Sequence, residues 1–141
     1  MAVDVPFTNP TPSFSSNNPA GTGNTLNYIG KYAFAYSGLV SVDNNATTVL
    51  RFETGTQLLI AKFILNYGSN LSHDEDFLWQ VKMNDEIVLQ TVLEGAKVTE
   101  PPQFIPLIIP PFTKMEFVAD NISDADARDQ AVLVTAEVPY A

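Results

Sequence analysis

The sequence predicts an all-β domain, an antiparallel sandwich of two sheets with about eight strands, led by an extended N-terminal arm. Three observations carry that expectation. From Tyr28 onward apolar residues recur with a period of 2, and nowhere with the 3.6 of a helix. Gly, Asn, Asp and Pro punctuate those runs at turn-like intervals, as in two-sheet sandwiches. The 141 residues fit a single domain with one substantial core.

The elements follow in order. Residues 1–27 form the arm, where Pro6, Pro10, Pro12 and Pro19 alternate with Ser, Thr, Asn and Gly21, a mixture that suits neither helix nor sheet. Val3, Val5, Phe7 and Phe14 are out of place in a solvated tail, so the arm is expected to dock, either on its own domain or on a neighbouring chain. The sandwich then occupies residues 28–141. Its first strand, Lys31 to Val42, is long, with a bend expected at Ser37-Gly38. Tyr32, Phe34 and Tyr36 share one face of it and are expected to pack in the sheet.

Thr47 to Glu53 and Gln57 to Tyr67 come next, bounded by Asp43-Asn44-Asn45 and Thr54-Gly55. A hairpin follows. Phe77, Trp79, Val81 and Met83 alternate with polar residues, Asn84-Asp85 makes a tight turn, and Ile87, Leu89, Thr91 and Leu93 return. Phe104 to Ile109 is broken by Pro106 and closed by Pro110-Pro111, which places it at a sheet edge. Met115, Phe117 and Ala119, then Val132, Val134, Ala136 and Val138, mark the last two strands.

One strand departs from the half-buried pattern. Between Leu58 and Leu65 both faces are apolar: Leu59, Ala61, Phe63 and Leu65 on one, Leu58, Ile60 and Ile64 on the other, with Lys62 the only polar residue. An antiparallel sandwich normally wets one face, so the second needs cover. Each such aliphatic side chain gains roughly 1.5 to 3 kcal/mol on burial. The candidate interface is therefore Val5, Phe7 and Phe14 of the arm with Leu58, Ile60 and Ile64 of the strand, and a partner subunit is its expected cover.

Composition narrows the function. Charged residues make up only 16% of the chain, against about 25% in typical soluble domains. The formal charge is -9, and Lys31, Arg51, Lys62, Lys82, Lys97, Lys114 and Arg128 are scattered singly. Nucleic acid and anionic membranes are thus unfavoured partners. The chain has no cysteine, which removes disulfides, thiolate nucleophiles and sulfur-bound metals together. No secretion signal is expected, because no Lys or Arg precedes Lys31 and no apolar run of the needed length lies there. The apolar stretches near Leu58 to Leu65 and Phe104 to Phe112 are too short or too Pro-broken to span a bilayer as a helix.

Catalytic machinery is not expected. The one imidazole, His73, sits in the polar loop Ser72-His73-Asp74-Glu75-Asp76, and triads are assembled from distant segments. The carboxylates Asp74-Glu75-Asp76 and Asp124, Asp126 and Asp129 offer oxygen ligands but lack calcium-loop spacing, so solvated acidic loops are the expectation. No cofactor and no metal is expected. Trp79 alternates in register with Phe77 and Val81, which favours core packing over a sugar-stacking platform. Triplets of the glycosylation type begin at Asn45, Asn70 and Asn121 and are read as turn markers.

The Pro/Asn-rich arm, the hairpin from Phe77 to Leu89, the run Ile109-Pro110-Pro111-Phe112-Thr113 leading into Met115 and Phe117, and Asp120-Asn121-Ile122-Ser123 before a final strand together resemble the small jelly-roll virion proteins of tailed bacteriophages. Those serve as capsid decoration (cement) proteins or as heads of tail appendages. The resemblance covers most of residues 28–138. It implies a jelly-roll-like sandwich, a homo-oligomer, a trimer above other states, and partnership with a major capsid protein or another virion protein. The implied location is the phage capsid surface, after synthesis in the host cytoplasm. The alternative it leaves open is a tail-appendage head that binds a host glycan.

Overall fold

The structure, a computed structural model, describes residues 26–65, 75–95 and 103–139. The described residues are all-β, with eleven strands and antiparallel pairings throughout. The strands are β1 (Asn27–Ile29), β2 (Tyr32–Tyr36), β3 (Val40–Val42), β4 (Thr47–Glu53), β5 (Leu59–Leu65), β6 (Phe77–Met83), β7 (Glu86–Leu93), β8 (Ile105–Ile109), β9 (Lys114–Asn121), β10 (Arg128–Gln130) and β11 (Val132–Glu137). A five-stranded sheet runs β1-β2-β11-β5-β8 and a four-stranded sheet runs β4-β9-β6-β7, while β3 and β10 pair apart from both. Three strands beyond the expected eight are the short β1, β3 and β10, each only three residues long.

The two large sheets pack as a sandwich because their strands alternate as the sequence suggests. Ala33, Ala35, Leu59, Phe63 and Val134 of one sheet join Leu50, Phe52, Phe77, Trp79 and Phe117 of the other in one core. At its centre Phe63 and Phe117 meet edge-to-face across the gap with ring centroids 5.2 Å apart, a geometry that aromatic quadrupoles favour. Leu26 is fully buried in this core and Asn27 opens β1, so both belong to the sandwich, while residues 1–25 of the expected arm lie outside the described residues.

Turn chemistry fixes the connections. Asn84 and Asp85 have φ of 50° and 70°, the paired positive values of a type I′ hairpin turn that joins β6 to β7. The Asn84 Oδ1 accepts from the Lys114 amide at 2.8 Å, which ties the hairpin tip to the start of β9. The bend at Ser37-Gly38 breaks the long first strand into β2 and β3, with Gly38 at φ 69°. There the Ser37 hydroxyl accepts from the Val132 amide at 2.8 Å, holding the break against β11. Pro106 lies in β8, and β8 is indeed an edge of its sheet.

A nested order runs through the pairings. β6 pairs β7, β5 pairs β8, β4 pairs β9, β3 pairs β10 and β2 pairs β11. The chain from β2 to β11 is thus one long antiparallel double strand, doubled back at Asn84-Asp85 and wrapped into two sheets.

Candidate functional site

The registers lay out the outer face of the five-stranded sheet row by row. The first row is Tyr36, Leu133 and Ile64; the second is Asn27, Phe34, Thr135, Lys62 and Pro106; the third is Ile29, Tyr32, Glu137, Ile60 and Ile108. Ile29, Tyr32, Phe34, Tyr36, Ile60 and Ile108 are all exposed, Ile29 at 65% and Ile108 at 61%. Phe104 is exposed beside them, under the Lys62 ammonium at 4.9 Å from its ring centroid. Five strands about 4.8 Å apart and three rows about 7 Å apart make a patch on the order of 400 Å². A patch of that size matches the largest on a typical monomer, where it is often functional.

The expected interface residues fare differently. Val5, Phe7 and Phe14 lie outside the described residues. Ile60 is 49% exposed on this face, but Ile64 is 5% exposed and belongs to the folded chain, and Leu58 is half-buried. Two aliphatics of one strand face thus differ because the chain shields the end of β5 at Ile64 and leaves Ile60, near the other end, wet. The expectation for Tyr32, Phe34 and Tyr36 is also corrected. They point outward, and Ala33 and Ala35 are the residues that enter the core. Inside, β2 runs beside Val134 and Ala136 of β11, so small residues fill the positions that face the opposite sheet.

Ile108 was legible by the reasoning applied to β5, since Ile105-Pro106-Leu107-Ile108-Ile109 is apolar on both faces too. Ile29 had no such signal, because three residues do not establish a period.

The acidic loops are joined to a cation that the chain itself supplies. Glu75, Asp124 and Asp126 place carboxylate oxygens within 4.8 Å of one another. Arg128 forks onto this group, with Nε donating to Glu75 Oε1 at 3.1 Å and Nη2 to Glu75 Oε2 at 3.0 Å, and Asp126 3.8 Å away. The hydrogen bonds to Glu75, and then the surrounding carboxylates, hold the guanidinium above its ordinary pKa. Glu75 is buried, not solvated as the sequence led us to expect, because a planar bidentate partner compensates it. Asp124 and Asp126 are exposed as expected, and His73 and Asp74 lie outside the described residues.

Asn121 organises the loop beyond. Its side-chain amide donates to Asp124 Oδ1 and the Asp126 carbonyl, and its Oδ1 accepts from the Ser123 and Asp124 amides. A buried amide so engaged is a turn anchor.

Trp79 is fully buried, so its ring packs in the core and is closed to sugars. A shallow depression of about 340 Å³ is lined by Thr56, Gln57, Leu58, Pro111 and Val138. That lining carries no titratable side chain to move a proton. No protein-family model matches the chain, and no curated protein matches it.

Proposed function

We propose that this chain is a structural virion protein, a jelly-roll decoration or cement subunit that stabilises a phage head by seating its five-stranded sheet on neighbouring virion subunits. The observation that carries the reading is the outer face of that sheet, where each of the three rows exposes at least one large apolar side chain: Tyr36 in the first, Phe34 in the second, and Ile29, Tyr32, Ile60 and Ile108 in the third. Leaving six large apolar side chains wet opposes solubility in a domain of ordinary marginal stability, and burial against a partner reverses the cost. The nested pairing supports the jelly-roll assignment, since two interlocked Greek keys arise when a double strand is wrapped into two sheets. The sequence resemblance supplies the virion context, the homo-oligomer and the capsid partner.

The test is addition of purified chain to expanded phage particles that lack their decoration protein. The wild type should bind and raise the temperature or chelator concentration at which the particles open. Ile60→Asp should lose binding while its own melting temperature stays within a few degrees of wild type, because Ile60 is half exposed in the isolated chain. A second reading, a host-glycan binding head, draws on the exposed stripe Tyr32, Phe34 and Tyr36, whose rings are suited to stacking on sugars. Protein that ignores particles but binds host cells, and loses that binding on Tyr36→Ala, would replace the first reading with the second.

A further inference from the structure

The four-stranded sheet ends in a strand that differs from every other edge of the described sandwich. β1 is an edge of only three residues, and β8 carries Pro106 in its middle. β4 is interrupted by a register shift between Thr48 and Leu50 and bears Arg51 and Glu53. Short length, proline, irregularity and charge are the devices that stop an edge from recruiting another strand. β7 lacks most of them. It spans eight residues, none of them buried, and Ile87 to Leu93 contains neither proline nor charge. Its one irregularity lies near the hairpin, between the pairings of Val81 with Leu89 and Lys82 with Ile87, so Leu89 to Leu93 runs in regular register.

The core is also cut off at this edge. Leu89, Thr91 and Leu93 stand opposite the buried Val81, Trp79 and Phe77 and so face inward. Yet they are only half-buried, with Leu89 and Leu93 packed against the core from its rim. A further strand beside β7 would complete their cover.

We infer that β7 pairs antiparallel with β7 of a second copy of this chain, about a two-fold axis through Thr91, so that two four-stranded sheets become one of eight. Antiparallel pairing sets directly opposite residues on the same face of the sheet, and inward-facing residues must therefore meet inward-facing ones. An axis at Thr91 satisfies that rule. It sets Thr91 against Thr91, Leu89 against Leu93 and Gln90 against Val92, using the whole regular segment. No two charges are directly opposed within it. Cross-strand Thr–Thr and aliphatic pairs are favourable in this arrangement.

Size argues for an association that depends on concentration. A five-residue overlap, Leu89 to Leu93, about 17 Å long on a sheet about 10 Å thick buries roughly 350 Å² summed over both copies. Stable complexes bury about 1,200 to 2,000 Å², so the pairing is weak and fills only at high chain concentration. It is separate from the outer sheet face and does not rest on the virion reading.

The absence of cysteine makes the test direct. Opposed residues in an antiparallel pair have Cα atoms about 4.5 to 5.5 Å apart, within the roughly 4.4 to 6.8 Å that a disulfide spans. Under mild oxidation Thr91→Cys should yield covalent dimer as the main product. Glu86→Cys lies on the same strand, but its two copies would be about 34 Å apart, and it should stay uncrosslinked.

In sedimentation across a concentration series the wild-type mass should double as concentration rises. Val92→Lys, at an exposed position, should abolish the doubling without shifting the melting temperature. Ile60→Asp should leave the doubling intact. Thr91→Cys that crosslinks no better than Glu86→Cys, or a doubling that survives Val92→Lys, would overturn the inference. A doubling lost instead on Ile60→Asp would assign self-association to the outer sheet face and overturn the role of β7 alone.

Discussion

Phe112 occupies a backbone conformation that its side chain opposes. Its φ is 53°, and the side chain is 65% exposed. It follows Pro110-Pro111 in the turn between β8 and β9, with its amide donating to the Gly55 carbonyl at 2.8 Å. A left-handed conformation costs an L-residue roughly 1 to 2 kcal/mol, and glycine escapes that cost while losing about 0.5 to 1 kcal/mol of chain entropy. Since the exposed ring contributes little packing, Phe112→Gly should stabilise the fold by about 0.5 to 1 kcal/mol, read as a higher urea midpoint at unchanged slope. A lower midpoint would mean that the ring makes contacts worth more than the strain. The turn itself is held by Thr54, whose hydroxyl donates to the Pro110 carbonyl at 2.7 Å and accepts from the Thr113 amide at 2.8 Å. That clamp is what over-determines the backbone and lets Phe112 remain there.

At the scale of the strand, β5 separates two residues that alternation alone makes equivalent. Ile60 and Ile64 share a face by period, yet only Ile64 is buried. Ile64→Asp should therefore cost about 3 to 5 kcal/mol, a large part of the roughly 5 to 15 kcal/mol usual for a domain, because it buries an unpaired carboxylate. Ile60→Asp should cost less than about 1 kcal/mol in the isolated chain. Urea melts of both variants check this, and equal losses would place Ile60 in the core.

The same contrast marks what was legible. β6, β9 and β11 were readable because polar residues occupy one face and large apolar residues the other, as in Phe77, Trp79 and Val81. β2 was not, because Tyr-Ala-Phe-Ala-Tyr alternates equally well in either orientation, and only the pairing with β11 decides that the alanines go in. In β7 the extra residue at Val88 throws Ile87 out of phase, and no sequence period reveals an inserted residue. Of the candidate site, Ile60 was found by counting apolar faces. The rest of the patch was missed because it is assembled by strands that meet only in the folded sheet.

At the scale of the whole molecule, the nested pairing prescribes an order of assembly. The Gln80 and Gln90 side chains, ten residues apart, hydrogen-bond across the β6–β7 hairpin, whereas Val132 and Ser37, 95 residues apart, join the outermost pair. Closing the longer loop directly costs roughly 2 kcal/mol more in chain entropy. If the hairpin forms first, each pair outward closes only the short stretch of chain not yet paired, so most of that cost is avoided. Folding should thus zip from Asn84-Asp85 toward the β2–β11 pair, on the millisecond-to-second scale of non-local β topologies.

Two buried valines distinguish this order from its reverse: Val81 in the hairpin and Val134 in the last strand. Val81→Ala should mainly slow refolding, with a φ-value of about 0.5 or more, while Val134→Ala should mainly speed unfolding, with a φ-value of about 0.3 or less. Stopped-flow chevrons measure both. The opposite ranking would place the nucleus at the paired ends of the double strand, and folding would then begin with the costliest closure.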